Sequence, residues 1–414
     1  MRWIFGLLLL LGPLFGDGIP REEYRARRAE LRRSLDGVMV LFGASESDDM
    51  RSRFLQDTNF LYLSGWRDPG AAMLLTKDEE MVFLPERNVR GENFTGRRIG
   101  PDQADAPKKT GFDHVLPRTA METTFLRLLD HSRRVYTLPN QVEAQRLIQM
   151  APLHEQVSAV APIASLRMIK SPAEIELITK AVDATVAAHL AAWKRLRPGL
   201  FEYQIASTME QNYFDRGCEG NAYSPIVGSG PNSTILHYMA DRRRMDAGEV
   251  VVMDVGAECD EYASDVTRTV PVNGKFTARE REIYEIVLGA QKTAIAAAKP
   301  GATIRGDGSL YDIAYIYINT HGKDLHGDTL GKYFTHGLSH HVGLDVHDPD
   351  TGPGLKAGMV VTIEPGIYIP EENLGVRIED TILITEDGAK NLSAALPREP
   401  GEIEKLLAEK QFAK

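Results

Sequence analysis

The sequence predicts a two-domain protein of the α/β (α+β) class. An N-terminal α/β domain spans residues 19–165, and a C-terminal domain spans 166–414, with two halves repeating about a pseudo-twofold axis. Three observations predict this. At 414 residues the chain is too long for one compact core. A strong helix start at Ser171-Pro172-Ala173-Glu174 marks a boundary near residues 161–171. The stretch Ala247–Gly256 matches Ala357–Gly366 at a constant offset of 110 residues.

Taken in order, the elements begin with a targeting segment, residues 1–18. Arg2 precedes an apolar run from Ile4 to Phe15, interrupted at Gly12-Pro13, and Gly16 and Gly18 offer a small-x-small cleavage pattern. A membrane span needs roughly 20 apolar residues, so this run is short for one. The expectation is a signal peptide and an exported protein, periplasmic or secreted, with no stable membrane span after processing. An uncleaved anchor or a buried first helix is the alternative, and without a signal the protein would be cytoplasmic. Past this segment, Val38–Gly43, Ala71–Thr76 and Met81–Pro85 read as strands between glycine-rich and charged turns.

In the second domain Ser171 caps a helix, proline suits its first turn, and Glu174 completes a capping box. Apolar positions Ile175, Ile178, Val182, Val186, His189 and Trp193 follow the helical period until Arg197-Pro198-Gly199. A second helix starts at Thr277, with Glu280 as box partner. It runs through Ile283, Val287, Ala290 and Ala294 to Lys299, where Pro300-Gly301 ends it. Each copy of the repeat is an apolar strand ending in a carboxylate, Asp254 or Glu364, and then a glycine nearby. Each is followed by a turn and a second strand: Tyr262–Val270 carries Asp265, and Leu374–Ile384 carries Glu379.

Composition excludes some functions. Hydrophobic content of 43% and charged content of 26% are ordinary for a globular protein. The net charge of −10 repels phosphate backbones, so no nucleic-acid partner is expected. The run Arg242-Arg243-Arg244 lies beside Asp241 and Asp246 and reads as a solvated turn. Two cysteines, Cys218 and Cys259, make no disulfide scaffold in a chain of this length and read as free, partly buried thiols.

The chemistry lies in the carboxylates. Asp254 and Glu364 sit among Val, Met and Ile, and burying several negative charges without compensation costs many kcal/mol or forces protonation. Divalent cations resolve both problems; pairing with Arg268 or Arg377 is the plainer alternative for any single acid. Residues 336–348 hold four of the eleven histidines, His336, His340, His341 and His347, among glycines and apolar residues. Their spacing is not the HExxH zinc helix, and no Gly-x-Ser-x-Gly elbow is present. Gly228-Ser229-Gly230-Pro231 lacks the Lys-Ser/Thr ending of a phosphate loop and reads as a substrate-side turn. A mostly carboxylate set with imidazole favours harder metals such as manganese. Two such ions side by side acidify a water and polarise a carbonyl, which is the chemistry of hydrolysis.

The second domain resembles the pita-bread metallopeptidases, the family of methionine aminopeptidase, prolidase and aminopeptidase P, and within it the aminopeptidase P branch. The motifs are Phe60–Gly65 and Gly96–Gly100 in the first domain, then Ile235–Tyr238, Ser264–Thr269, residues 336–348, Thr362–Gly366 and Val376–Asp380. The resemblance implies a pita-bread catalytic fold behind an aminopeptidase P-like N-terminal domain. It implies two divalent ions per chain, manganese first, with cobalt or zinc as alternatives. Asp254 would bind one ion, Asp265 and Glu379 would bridge, and His340 and Glu364 would bind the other. Glu364 would also take a proton from the attacking group. His237 and His347 would line the substrate site and stabilise the tetrahedral intermediate, with His336 nearby. Arg377 would orient Asp254 or a neighbouring carboxylate. The implied substrates are peptides with proline at the second position, cleaved before it, and the implied assembly is a homo-oligomer, dimer or tetramer.

Two departures stand out against longer relatives: short segments at Asp348–Lys356 and between Glu364 and Glu379. His341 also stands where a Trp often follows the ligand histidine. The rival activities are an Xaa-Pro dipeptidase and a non-catalytic peptide-binding protein on the same fold.

Overall fold

The computed structural model describes residues 18–46 and 53–409. The targeting segment expected over residues 1–18 lies outside the described residues but for Gly18. The chain divides after Ala159 into two compact units. The helix Val160–Arg167, placed largely ahead of the boundary by sequence, belongs to the second unit. Its Arg167 bonds to Asp345 and Asp348, 2.7 and 2.6 Å away.

The first unit holds a six-stranded mixed sheet. Its strands are β1 (Val38–Phe42), β2 (Ala72–Leu75), β3 (Glu80–Leu84), β4 (His114–Pro117), β5 (Arg134–Thr137) and β6 (Glu155–Ser158). The order is β4-β3-β2-β1-β5-β6. The three predicted strands fall on β1 to β3. The other three escape a periodicity search because each is short and, unlike the apolar β2, carries polar residues; they pair in parallel with β3, β1 and β5. Both faces of β1 are buried, with Val38, Val40 and Phe42 packing on Met121 and Phe125 of the helix Met121–Leu129.

In the second unit the helix Pro172–Arg195 carries the predicted capping box. The helix Ala278–Ala297 does so too, with Thr277 accepting from the Glu280 N–H. Ile283, Val287, Ala290 and Ala294 form its fully buried face. The helices Glu202–Asp215 and Leu310–Thr320 add cover.

The strands of this unit are β7 (Gly220–Asn221), β8 (Ile226–Ser229), β9 (Val250–Val255), β10 (Ala257–Cys259), β11 (Tyr262–Ala263) and β12 (Val266–Pro271). The second half supplies β13 (Val360–Ile363), β14 (Gly366–Ile369), β15 (Leu374–Arg377), β16 (Asp380–Ile384) and β17 (Ala389–Asn391). The repeat predicted two continuous second strands. Instead each is broken in two. β9 pairs with β12 while β10 pairs with β11; β13 pairs with β16 while β14 pairs with β15. In both halves the chain leaves one sheet and enters another, and Asp265 and Glu379 sit in the two gaps. A carboxylate there is released from ladder geometry and turns inward. Gly256 marks the matching break on the opposite strand, where a Cβ would lie 1.8 Å from the Ser264 carbonyl oxygen.

The cysteines correct the sequence reading. Cys218 and Cys259 form a disulfide across 41 residues, tying the end of the helix Glu202–Asp215 to β10. Both are buried. Nothing in two isolated thiols reveals that the fold brings them together. No helix among the described residues is long and apolar enough to cross a membrane.

Candidate metal centre

The two halves converge on a cavity of about 410 Å³ whose wall includes Asp254, Asp265, His340, Glu364 and Glu379. Asp254 lies next to the end of β9, opposite Thr267. Glu364 follows β13, just past the pair Ile363–Asp380. His340 lies in the loop before β13, held by its backbone N–H on Thr362 Oγ1 at 3.1 Å. Asp265, His340 and Glu379 each place one possible ligand atom within 4.8 Å of the others. His340 Nε2 stands 3.4 Å from Asp265 Oδ2 and 3.5 Å from Glu364 Oε1. Its Nδ1 lies 3.1 Å from the His341 carbonyl oxygen. That contact puts the ring proton on Nδ1 and turns the Nε2 lone pair toward the acids, the tautomer a metal ligand needs.

The acids are poorly compensated by protein alone. Burial, then the charges of Asp265 and Asp254, push the Glu379 carboxyl well above the usual range. Burial and Asp254 push Asp265 up, and burial and Glu379 push Glu364 up. Glu379 Oε2 accepts from Thr267 Oγ1 at 2.7 Å, while its buried Oε1 has no hydrogen-bond partner. An orphaned buried oxygen amid mutually repelling carboxylates, beside an imidazole with an outward lone pair, fits a divalent cation.

Arg377 donates to Asp254 Oδ2 at 2.5 Å and to the Tyr368 hydroxyl at 2.8 Å. Arg268 serves elsewhere: fully buried, it donates to Asp380 Oδ1 at 2.7 Å and to the Glu379 carbonyl at 2.6 Å. His237 and His347 are solvent-exposed on the cavity wall. Partial desolvation by the wall, then the charges of His340 and His237, lowers the His347 pKa.

His336 lines the cavity with both ring nitrogens engaged. Burial, then Arg377, brings its pKa down to about 4, so it is neutral. Its Nδ1–H donates to the Gly337 carbonyl and its Nε2 accepts from the Tyr368 hydroxyl, each at 2.8 Å. His336 is thus linked to Arg377 through Tyr368.

Three other expectations meet the structure here. Gly228–Pro231 is not a substrate-side turn. Ser229 is fully buried and donates its N–H and hydroxyl to Glu202, each at 2.8 Å. The arginine run binds its own surroundings: Arg243 bridges Glu249 and Asp246, and Arg244 reaches Asp246. His341 is buried and bridges by its backbone to Asp348 and Val361.

Sequence reasoning missed three groups. The Tyr223 hydroxyl contacts Asp254 Oδ1 at 2.6 Å and also Asp265 Oδ1, joining the two acids of the first half. Tyr368 links His336 to Arg377. Gln291 donates to the carbonyls of Ile363 and Ile378, both at 3.2 Å, and so grips the residues preceding Glu364 and Glu379. Gln291 carried a signal: four residues after Val287, it is a polar residue on the apolar face of its helix, and such a group must find partners.

Residues 176–386 match the family described as metallopeptidase family M24, and residues 24–136 match the aminopeptidase P N-terminal domain. An Xaa-Pro aminopeptidase of Haemophilus influenzae is 36% identical over 94% of this chain and 98% of its own length. The solved structure of Escherichia coli aminopeptidase P with the inhibitor Pro-Leu superposes with a TM-score of 0.86. Its identity is 31%, covering 95% of this chain and 99% of that one. An Xaa-Pro dipeptidase of Pyrococcus furiosus is 44% identical over 236 residues, 56% of this chain and 64% of its own. Half of the chain matches the catalytic family and the two aminopeptidase relatives align nearly end to end: the chain belongs to metallopeptidase family M24 and carries the aminopeptidase P N-terminal domain ahead of its metallopeptidase domain.

Proposed function

We propose that this protein is a dinuclear metal-dependent Xaa-Pro aminopeptidase, releasing an N-terminal residue from the proline that follows. The observation that carries the reading is the convergence of Asp254, Asp265, His340, Glu364 and Glu379 on one cavity. Asp254 would hold one ion, His340 and Glu364 the other, and Asp265 and Glu379 both. Carboxylates with a single imidazole favour manganese, with cobalt or zinc as substitutes. When bound, the ions polarise the scissile carbonyl and acidify the attacking water.

The chain's own groups do the rest. Glu364 would accept a proton from the water. The water oxygen bonds to the carbonyl carbon, the carbon–nitrogen bond breaks, and Glu364 returns the proton to the prolyl nitrogen. His237 and His347 face solvent on the wall and donate to the developing oxyanion. Arg377, held by Tyr368 and His336, fixes Asp254. Proline offers no amide hydrogen, so peptidases that bind substrate as an extended strand lose a hydrogen bond there. A site that works on the carbonyl escapes that loss.

The second reading is an Xaa-Pro dipeptidase, favoured by the 44% identity with the Pyrococcus furiosus enzyme. That match is partial, whereas the aminopeptidase matches run through both domains. The test is kcat/KM on Ala-Pro-Ala against Ala-Pro with saturating manganese. A tripeptide preference of about tenfold, roughly 1.4 kcal/mol, is expected. The same preference for the dipeptide makes the protein a dipeptidase.

Export is part of the proposal. It is supported by the apolar run after Arg2 and by the Cys218–Cys259 disulfide, since disulfides persist in oxidising compartments. Mass spectrometry should find an N-terminus near Asp17 or Ile19, and an intact Met1 on a cytoplasmic protein would refute it. A homo-oligomer, dimer or tetramer, is also proposed. It rests on the resemblance to the aminopeptidase P branch, carried by the N-terminal domain match.

A further inference from the structure

The cavity that holds the candidate ligands is acidic, and a short peptide entering it is a zwitterion. Its C-terminal carboxylate needs a cation, which the four candidate metal-ligating carboxylates cannot offer. Two arginines line the wall. Arg377 is committed to Asp254 and Tyr368. Arg305 is solvent-exposed and has no ion-pair partner among the described residues. Arg243 and Arg244 are paired with Glu249 and Asp246, and neither lines the cavity.

Arg305 also lines a second cavity of about 270 Å³, which includes Met168, His341, Asp350 and Pro353. It therefore stands where the ligand-bearing cavity adjoins further space. The chain just before it is tied down at residues 301–303. Gly301 N–H donates to the Leu355 carbonyl and Leu355 N–H to the Ala302 carbonyl, both at 2.8 Å. Leu310 N–H then donates to the Thr303 carbonyl at 2.9 Å. An unpaired guanidinium on the cavity wall is suited to an anion, since its planar head can bind a carboxylate through two donors.

We propose that Arg305 is a specificity-determining residue that binds the free C-terminal carboxylate of short Xaa-Pro-Yaa substrates. This rests on the Xaa-Pro aminopeptidase reading. An internal residue of a longer peptide presents only a carbonyl there, so the enzyme discriminates by length and by the charge of the end.

The test compares Ala-Pro-Ala with its C-terminal amide, using manganese-loaded protein and the variants Arg305→Gln and Arg305→Glu. An exposed pair is worth up to about fivefold, so wild-type protein should prefer the free acid by about fivefold, mostly through KM. Arg305→Gln should bring the ratio to about one, and Arg305→Glu should reverse it. High salt should shrink the wild-type preference. Calorimetric titration with the product Pro-Ala and its amide should show the same contrast without turnover. Equal handling of acid and amide by wild-type protein, or a preference that survives Arg305→Gln, overturns the role of Arg305 alone. Failure to cleave either tripeptide removes the aminopeptidase reading and this proposal with it.

Discussion

The two halves of the catalytic unit share a topology and differ in how they handle charge. In the first half Asp254 is paired with Arg377, and Tyr223 joins it to Asp265. In the second half Glu364 and Glu379 receive, among the described residues, only hydroxyl donors, Thr362 at 3.3 Å and Thr267 at 2.7 Å, and one Glu379 oxygen has no partner there. One half is therefore partly neutralised by protein. The other depends on something brought in. The cation that serves the first half, Arg377, comes from β15 of the second, so the halves do not work separately. A repeated fold supplies the scaffold, and unequal compensation around it supplies a site.

The largest effect should come from the acids placed between sheets. Asp265→Ala or Glu379→Ala should lower kcat about 1,000-fold or more, beyond the roughly 10–100-fold that loss of a ligand's own partner costs. Steady-state kinetics at saturating manganese checks this; a loss under tenfold would mean that neither acid is shared by the two ions. His237→Ala tests the wall instead. It should cost about 10²–10³ in kcat, the weight of one oxyanion donor, while metal content stays at the wild-type level. If metal is lost too, His237 belongs to the ligand set.

Arg377→Met strikes the compensation of the first half. It should cost roughly 10–100-fold in activity and lower the melting temperature, because Asp254 loses its cation. An unchanged kcat would show that Tyr223 alone suffices. Gln291→Leu should give the smallest effect, about tenfold in kcat. It frees the carbonyls before Glu364 and Glu379 and leaves Asp254 and Asp265 untouched. Manganese titration of this variant should show weakened affinity, and wild-type affinity would reduce Gln291 to a packing role.

Much of this was legible in the sequence because it is local. Ser171 and Thr277 announce their helices by capping boxes, and Asp254 and Glu364 stand out as acids ending apolar strands. The breaks at Asp265 and Glu379 were not legible. An apolar run such as Leu374–Ile384 reads as one strand, and only the partner strands, β14 and β13, show that its two ends lie in different sheets. Tyr223 stands 31 and 42 residues from the acids it joins, so no spacing rule finds it. The disulfide and Arg305 were hidden for the same reason: each takes its meaning from neighbours that folding supplies.

The central claim is that the two halves together hold two divalent ions. Metal analysis of active wild-type protein tests it most directly, with activity followed as manganese is returned to chelator-treated enzyme. No activity is expected after chelation, and full activity with two ions bound per chain. Full activity with a single fully occupied site would contradict it.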